Sequence, residues 1–575
     1  MMQVNSHILT LIILLPLAGA AVLALLPARG RTMQWGALAV TLATFLLTLH
    51  LPAHYDYTAG GMQFETNHIW LTAPSIHYHL GVDTLSLWLM VLTGLLAPLG
   101  VLASWKSIGT RTKEFYVLFL VQQTAMLGVF AALDLFLYYG FWELSLVPMT
   151  ILIAVFGRSE NRRRAAMKYF LYTFITSALL LVAILWLYSR TGTFDFTVLA
   201  QLAAAHHISD SSHALWIASL AFLVAFAVKV PVFPLHGWIS DAISEAPTAA
   251  AMVLAGKLGL YSILRFSLGI FPAESHRIAP LMVALAAIGI VYGALVALVQ
   301  TDLKRLAAYS ILSHLGFCVL GIFAFTIASV DGSIYQILNH GVSGGAFLML
   351  LGFLYERYGT YDLRDYSGVA QTLPRMATLF VVTTLSLIGL PLFNGFIGEF
   401  LILIGTFSAK LGTFTVGSML IQKAWILSAL GATGVILGAV YMLTLYQRVF
   451  LGPVTHEKNR SLKDLSGREL TTLIPLIAAI LVIGVYPMPM LDVIKAPVDE
   501  VIQKVNGPAQ RAPRLGGQLR QRMLDLNAQG APAQRQPDSA QIQRGPDSPQ
   551  APRVMPMPHV LVPNRAPQAE QPAKQ

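Results

Sequence analysis

Charge is scarce in this chain. Lys, Arg, Asp and Glu make up 11% of its 575 residues, against roughly 25% in ordinary soluble domains. Hydrophobic residues make up 55%. So little charge cannot cover a water-exposed surface of normal composition, which points to a protein that crosses a membrane many times. Cysteine is scarcer still, with Cys318 alone. One thiol closes no intrachain disulfide and cannot ligate an iron–sulfur cluster. No G-x-G-x-x-G run follows a strand-like pattern, so no nucleotide site is expected in the chain. Neither a metal site nor a nucleic-acid partner is expected.

Long apolar runs are what the sequence has in abundance. A spanning helix needs about 20 apolar residues. Fourteen segments qualify: 6–27, 33–52, 80–104, 115–133, 134–156, 165–189, 214–233, 248–271, 278–300, 306–328, 333–356, 376–409, 422–448 and 469–491. The fold class is therefore an all-α polytopic membrane protein with about fourteen transmembrane helices in a lipid bilayer. The first segment lacks a basic leader and a small-residue cleavage site, so it reads as a retained helix. Lys and Arg gather in the loops after odd-numbered segments, from Arg29 and Arg31 to the run Arg158, Arg162, Arg163, Arg164 and Lys168. The other loops hold few, namely Arg190, Arg277, Lys410 and Lys423. The excess of basic residues on cytoplasmic loops then places both termini on the outer side. Between the second and third segments lies a long loop with His54, His68, His77 and His79. Their spacing is irregular, and an exposed, solvated loop is expected. From residue 505 the chain is rich in Pro, Gln, Ala and Arg and is expected to be a disordered tail.

Two of the apolar runs are interrupted. The seventh ends in Lys229 and is followed at once by Pro231 and Pro234. Proline lacks the N–H that would bond the carbonyl four residues back, so the carbonyls of Ala227 and Val230 are expected to be freed. The twelfth is broken at Pro391, with Glu399 shortly after. Both breaks read Pro, aliphatic, Phe. Two broken helices at matching places, each with an ionisable group, suggest an internal repeat and an ion path. Other ionisable groups lie deep in apolar runs: Glu143 in FWELSLVPM, Lys257, His314 and His340. Glu143 is expected to pair with Lys229, while Arg265, nearer a segment end, is expected to snorkel outward. Asp302 and Lys304 sit where protons could enter. All six groups, Glu143, Lys229, Lys257, His314, His340 and Glu399, are weak acids or bases, and none is a nucleophile beside a base. The chemistry they permit is proton transfer between buried sites bridged by water.

At these residues the chain resembles the antiporter-like subunit M (chain 4) family of respiratory complex I, the proton-translocating NADH:quinone oxidoreductase. The resemblance runs from GVDTLSLWL (81–89) through FWELSLVPM, FAVKVPVFPLHGWISDAISEAPT and TDLKRLAAYSILSHLGF to GLPLFNGFIGEFLIL. It implies two inverted five-helix repeats with helices 7 and 12 broken. The chain would divide into peripheral helices (1–113), a first repeat (114–272), a second repeat (273–450), a last helix with flanks (451–504) and the tail (505–575). The resemblance also implies a proton channel through the six residues. Glutamate at position 399 is typical of subunit M, whereas the related subunits L and N and the cation/proton antiporter subunits usually carry lysine there. NADH, FMN, iron–sulfur clusters and quinone are implied for the whole complex and none for this chain. The implied partners are the neighbouring subunits L and N, and the implied location is the bacterial inner membrane. One departure is that family members usually hold about three more residues between LAG (254–256) and the lysine. The rival readings are the equivalent subunit of a multisubunit cation/proton antiporter or membrane-bound hydrogenase, and a structural arm subunit with an inactive channel.

Overall fold

The computed structural model describes residues 7–27, 30–205, 213–254, 257–411 and 423–506. Arg29, the residues 255 and 256, and the tail from 507 onward lie outside the described residues. Within them the chain is a helical bundle. Its elements are α1 (Ile8–Leu25), α2 (Gly30–Thr48), β1 (Gln63–Leu71), β2 (Ile76–Val82), α3 (Thr84–Ala103), α4 (Thr112–Ala131), α5 (Leu135–Phe156) and α6 (Arg162–Thr191). There follow α7 (Ala214–Lys229), α8 (Thr248–Ile270, described on either side of 255 and 256), α9 (Pro272–Leu298), α10 (Leu303–Ala324) and α11 (Ile327–Tyr358). The rest are α12 (Pro374–Leu387), α13 (Asn394–Phe407), α14 (Ala424–Phe450), α15 (Gly467–Val485) and α16 (Lys495–Asn506). Among the described residues twelve helices are long and apolar enough to span a membrane. Three shorter apolar helices, α7, α12 and α13, are pieces of the two runs that the sequence shows as interrupted.

Aspartates set several of the helix starts. Asp83 accepts from the N–H of Ser86 at the head of α3, Asp134 from Phe136 and Leu137 at the head of α5, and Asp302 from Arg305 at the head of α10. A short acceptor at this position satisfies backbone donors that the first helical turn leaves open. Helix α11 is the centre of the bundle and is buried from Ser329 to Leu354 with few interruptions. Glycine lets α13 lie directly on it: a Cβ at Gly398 would meet Oε1 of Gln336 at 2.3 Å, and one at Gly405 would meet the backbone N of Ser329 at 2.3 Å. Gly259 does the same for α8 against α7, where a Cβ would sit 2.8 Å from the carbonyl oxygen of Phe226. Small residues at helix contacts are how helices in lipid approach closely.

Three expectations change here. The stretch between α2 and α3 holds an antiparallel hairpin, with Thr66 opposite Leu80 and His68 opposite Tyr78. Alternating short-range pairing organises what its polar composition suggested was solvated loop. The carbonyl of Ala227 is also not free, because Val232 N donates to it at 2.8 Å, and the indole of Trp238 donates to the carbonyl of Val228 at 2.9 Å. The turn that follows the break reuses what proline releases. Finally, α16 runs to Asn506, past the expected start of the tail, and buries Pro497, Val498, Val501 and Ile502.

Candidate functional site

Lys229 lies at the last turn of α7, where the helix stops, and is buried. Its Nζ donates to the hydroxyl of Tyr169 on α6 at 3.0 Å and sits 5.4 Å from the centre of the Trp142 ring. A buried ammonium must find such partners, because desolvation without them is costly. The expected direct pair with Glu143 is not formed: among the described residues Lys229 has no carboxylate within ion-pair distance. One carboxylate oxygen of Glu143 is buried without a hydrogen-bond partner among the described residues. Sequence alone does not single out Tyr169, since one tyrosine in an apolar run carries no signal.

The second group spans α8, α10, α11 and α13. Lys257 is 3% exposed, and its side chain lies along α11, where a Cβ at Gly341 would come within 2.9 Å of its Cε. His340 is the preceding residue on α11, and both of its ring nitrogens are buried without a partner among the described residues. The His314 ring on α10 lies with its centre 6.1 Å from that of His340. Nδ1 of His314 is 3.1 Å from Oε1 of Glu399 on α13, and Gln336 Nε2 donates to the same oxygen at 3.2 Å. Four of the six candidates therefore adjoin one another in order, Lys257, His340, His314, Glu399. The direct contacts run only between the last two. Lys257 follows residues outside the described set, and a π-helical turn, Ile263–Ser267, follows it in α8.

At the other end of α10, Asp302 pairs with Arg158 at 2.5 Å, which ties the α5–α6 turn to the start of α10. Lys304, 2% exposed, donates to the carbonyl of Ala246 and lies over the Tyr361 ring. Ser159 donates to Glu245 through both its N–H and its hydroxyl. The short helix after the α7 break, Ile239–Glu245, is thus tied to both halves of the chain.

Two further pairs differ from expectation. Arg265 does not snorkel: it is 5% exposed, 2.5 Å from Asp83, and donates to Ser86 and Tyr261. His79 is buried, with Nδ1 2.7 Å from Asp195, the residue that caps a short helix at Phe196–Ala204. Burial pushes the Asp195 carboxyl up, but hydrogen bonds from His79 and Thr197 outweigh it and hold the group at about 2. A lowered carboxyl contributes stability above its ordinary value near 4, and that contribution is lost as pH falls toward 2. Asp195→Asn is expected to lower the thermal midpoint at pH 7 by the equivalent of about 1–3 kcal/mol, with the gap to the parent chain closing at the lowest pH at which both stay folded. A pH-independent gap would contradict the pairing. Among the described residues no three His, Cys, Asp or Glu side chains gather as a metal would require. His50 and His54 stack on each other, ring centres 3.9 Å apart.

Comparison with known proteins follows the same outline. Residues 10–132 match the family described as NADH-ubiquinone oxidoreductase chain 4, amino terminus, and residues 132–422 match NADH:quinone oxidoreductase/Mrp antiporter, TM. The chain is 40% identical over 516 residues to the NADH-quinone oxidoreductase subunit M of Rhodobacter capsulatus, covering 87% of this chain and 97% of that one. A chain in the structure of respiratory complex I from Thermus thermophilus with bound NADH superposes with a TM-score of 0.76 at 31% identity, covering 86% of this chain and 99% of that one. A chain of the Mrp complex from Dietzia sp. DQ12-45-1b shares the fold, with a TM-score of 0.74 at 22% identity over 87% of this chain and 99% of that one. The buried charges, the two interrupted helices and these similarities agree, and the chain belongs to the NADH-quinone oxidoreductase subunit M (chain 4) family.

Proposed function

We propose that this chain is a proton-translocating membrane-arm subunit of an NADH-quinone oxidoreductase, and that protons move along Glu143, Lys229, Lys257, His340, His314 and Glu399. The observation that carries the reading is the buried run Lys257, His340, His314, Glu399 on four packed helices. Such a set suits proton transfer: each member is a weak acid or base, and the ring nitrogens of His340, unpartnered among the described residues, are what bridging water would satisfy. At the last step the proton on Nδ1 of His314 passes to Oε1 of Glu399, so that imidazolium becomes neutral and the carboxylate becomes an acid. Asp302 and Lys304 are the entry on the cytoplasmic side.

Counting α7 as one span, and α12 with α13 as another, gives fourteen transmembrane helices. Helices four to eight (114–272) and nine to thirteen (273–450) form two inverted repeats, with helices 7 and 12 the broken ones. The peripheral unit is 1–113, the last helix and flanks 451–504, and the tail 505–575. Both termini face the outside of a bacterial inner membrane. The lone, buried Cys318 cannot hold a cluster. NADH, FMN and the quinone, like the clusters, are assigned in this reading to other subunits of the complex. The neighbours in the membrane are subunits L and N, and the exposed apolar faces of α6, such as Leu171, Ile175 and Val182, are available to lipid or to them. Glu399, where antiporter subunits usually carry lysine, favours this reading over the antiporter.

Lys257→Ala tests it. In vesicles carrying the assembled complex, quinone-driven proton uptake is expected to fall at least about tenfold, in line with the loss of a group that takes and gives a proton. Unchanged uptake would mean that the run is structural. A milder prediction concerns Tyr169→Phe, which removes the hydroxyl that Lys229 donates to. Uptake should fall roughly threefold to tenfold, the net worth of an ordinary hydrogen bond, and no change would separate Tyr169 from the path.

A further inference from the structure

Resting on that reading, we propose that Gln336 and Asn394 are positioning residues that hold Glu399 against His314 by clamping the interruption between α12 and α13 onto α11. Oε1 of Glu399 is held from two sides, by Gln336 Nε2 at 3.2 Å and by His314 at 3.1 Å. Oε2 points the other way, to Gly389, where a Cβ would sit 2.5 Å from it. Gly389 has φ +68°, a backbone conformation that favours glycine, and the turn and the carboxylate share one tight space.

Behind Gln336 lies a closed set of hydrogen bonds. Asn339 Nδ2 donates to Gln336 Oε1 at 3.4 Å and to the carbonyl of Asn394 at 2.7 Å. Asn394 Nδ2 donates to Asn339 Oδ1 at 3.3 Å and to Ser343 Oγ at 3.1 Å. Its Oδ1 accepts from Ser386 Oγ at 2.5 Å and from Ser343 Oγ at 3.2 Å. The hydroxyls of Ser343 and Ser386 lie 2.7 Å apart. All of these residues are buried. Gln336, Asn339 and Ser343 line one face of α11, Ser386 closes α12, and Asn394 opens α13. The knot therefore ties three helices together across the interruption, and a Cβ at Gly395 would collide with the Ser386 carbonyl at 2.1 Å.

The chemistry of the knot is orientation. Its members are neutral amides and hydroxyls with no group that titrates near neutral pH. A fully satisfied polar network in a low-dielectric interior is rigid and specifies one arrangement. Glu399 sits on α13 a little more than one turn beyond Asn394, so a shift of the α13 start moves the carboxylate relative to His314 on α10. A displacement of about 1 Å at a reacting pair is enough to cost a large factor in rate.

The test uses the whole complex in membrane vesicles with three variants: Glu399→Gln, Gln336→Met and Asn394→Ala. Two quantities are read, proton uptake per quinone reduced and the infrared carboxyl band of Glu399, identified by its loss in Glu399→Gln. Gln336→Met keeps the length of the side chain without its donor. It should lower uptake about tenfold, the worth of a hydrogen bond to a charge, and move the band. Asn394→Ala touches nothing on the carboxylate, yet should move the band in the same way. If Asn394→Ala fails to assemble, Gln336→Met decides alone. An unmoved band and normal uptake in the variants that assemble, with Glu399→Gln inactive, would overturn the positioning role and leave the proton row standing. Normal uptake in Glu399→Gln would overturn the row and this inference with it.

Discussion

Lys229→Ala is expected to abolish most proton translocation, by about tenfold or more, together with the quinone reduction coupled to it, while the complex still assembles. The residue is at the one place where α7 stops, and its ammonium is held by Tyr169 and faced by Trp142. The structure catches Lys229 apart from Glu143. In this arrangement Lys229 has a hydroxyl for its hydrogen-bond partner in place of a carboxylate. Lys229→Arg sharpens the test. Arginine keeps the charge but does not give up its proton at any ordinary pH, so a path that needs transfer should fail in both variants. Glu143→Ala should fail in the same way as Lys229→Ala. Uptake measured in vesicles decides. Normal pumping and turnover in Lys229→Ala and Glu143→Ala would mean that this copy is structural, or that its path runs elsewhere.

The second large effect is on stability. Asp83→Ala leaves the Arg265 guanidinium buried without its carboxylate. Removing one partner of a buried pair typically costs about 3–5 kcal/mol, a large part of the net stability of most folded chains. The variant should be depleted from the assembled complex, and its thermal midpoint should drop by many degrees. Removing both charges, Asp83→Ala with Arg265→Leu, should recover much of the loss, because the penalty comes mainly from the stranded cation. If Asp83→Ala matches the parent chain in abundance and midpoint, the pair is not what holds α3 to α8.

The sequence makes some of this legible and hides the rest for physical reasons. Charges inside apolar runs stand out because lipid tolerates so few of them, and so Lys229, Lys257 and Glu399 are visible without coordinates. Proline after such a run marks the interruptions for the same reason. Arg265 misleads because its distance from a segment end suggests an outward reach, while its partner Asp83 lies at the head of a helix far earlier in the chain. Gln336, Asn339 and Asn394 are invisible because a neutral amide in a glycine-rich run looks like ordinary packing. The hairpin at 63–82 is missed because its pairing is local to a polar stretch among long apolar ones. The break in α7 is legible in place but not in detail, since what proline frees is claimed by a backbone N–H and an indole brought in by the following turn.

That last detail bears on which ion can pass. A metal cation such as sodium sheds its hydration shell only where several oxygen atoms replace it, and unwound backbone carbonyls are the usual replacement. At this break the Ala227 carbonyl is taken by Val232 and the Val228 carbonyl by Trp238. Each of these oxygens already accepts one hydrogen bond, so a bare cation at this break would have to share them with Val232 and Trp238; a proton needs no such cage of oxygens.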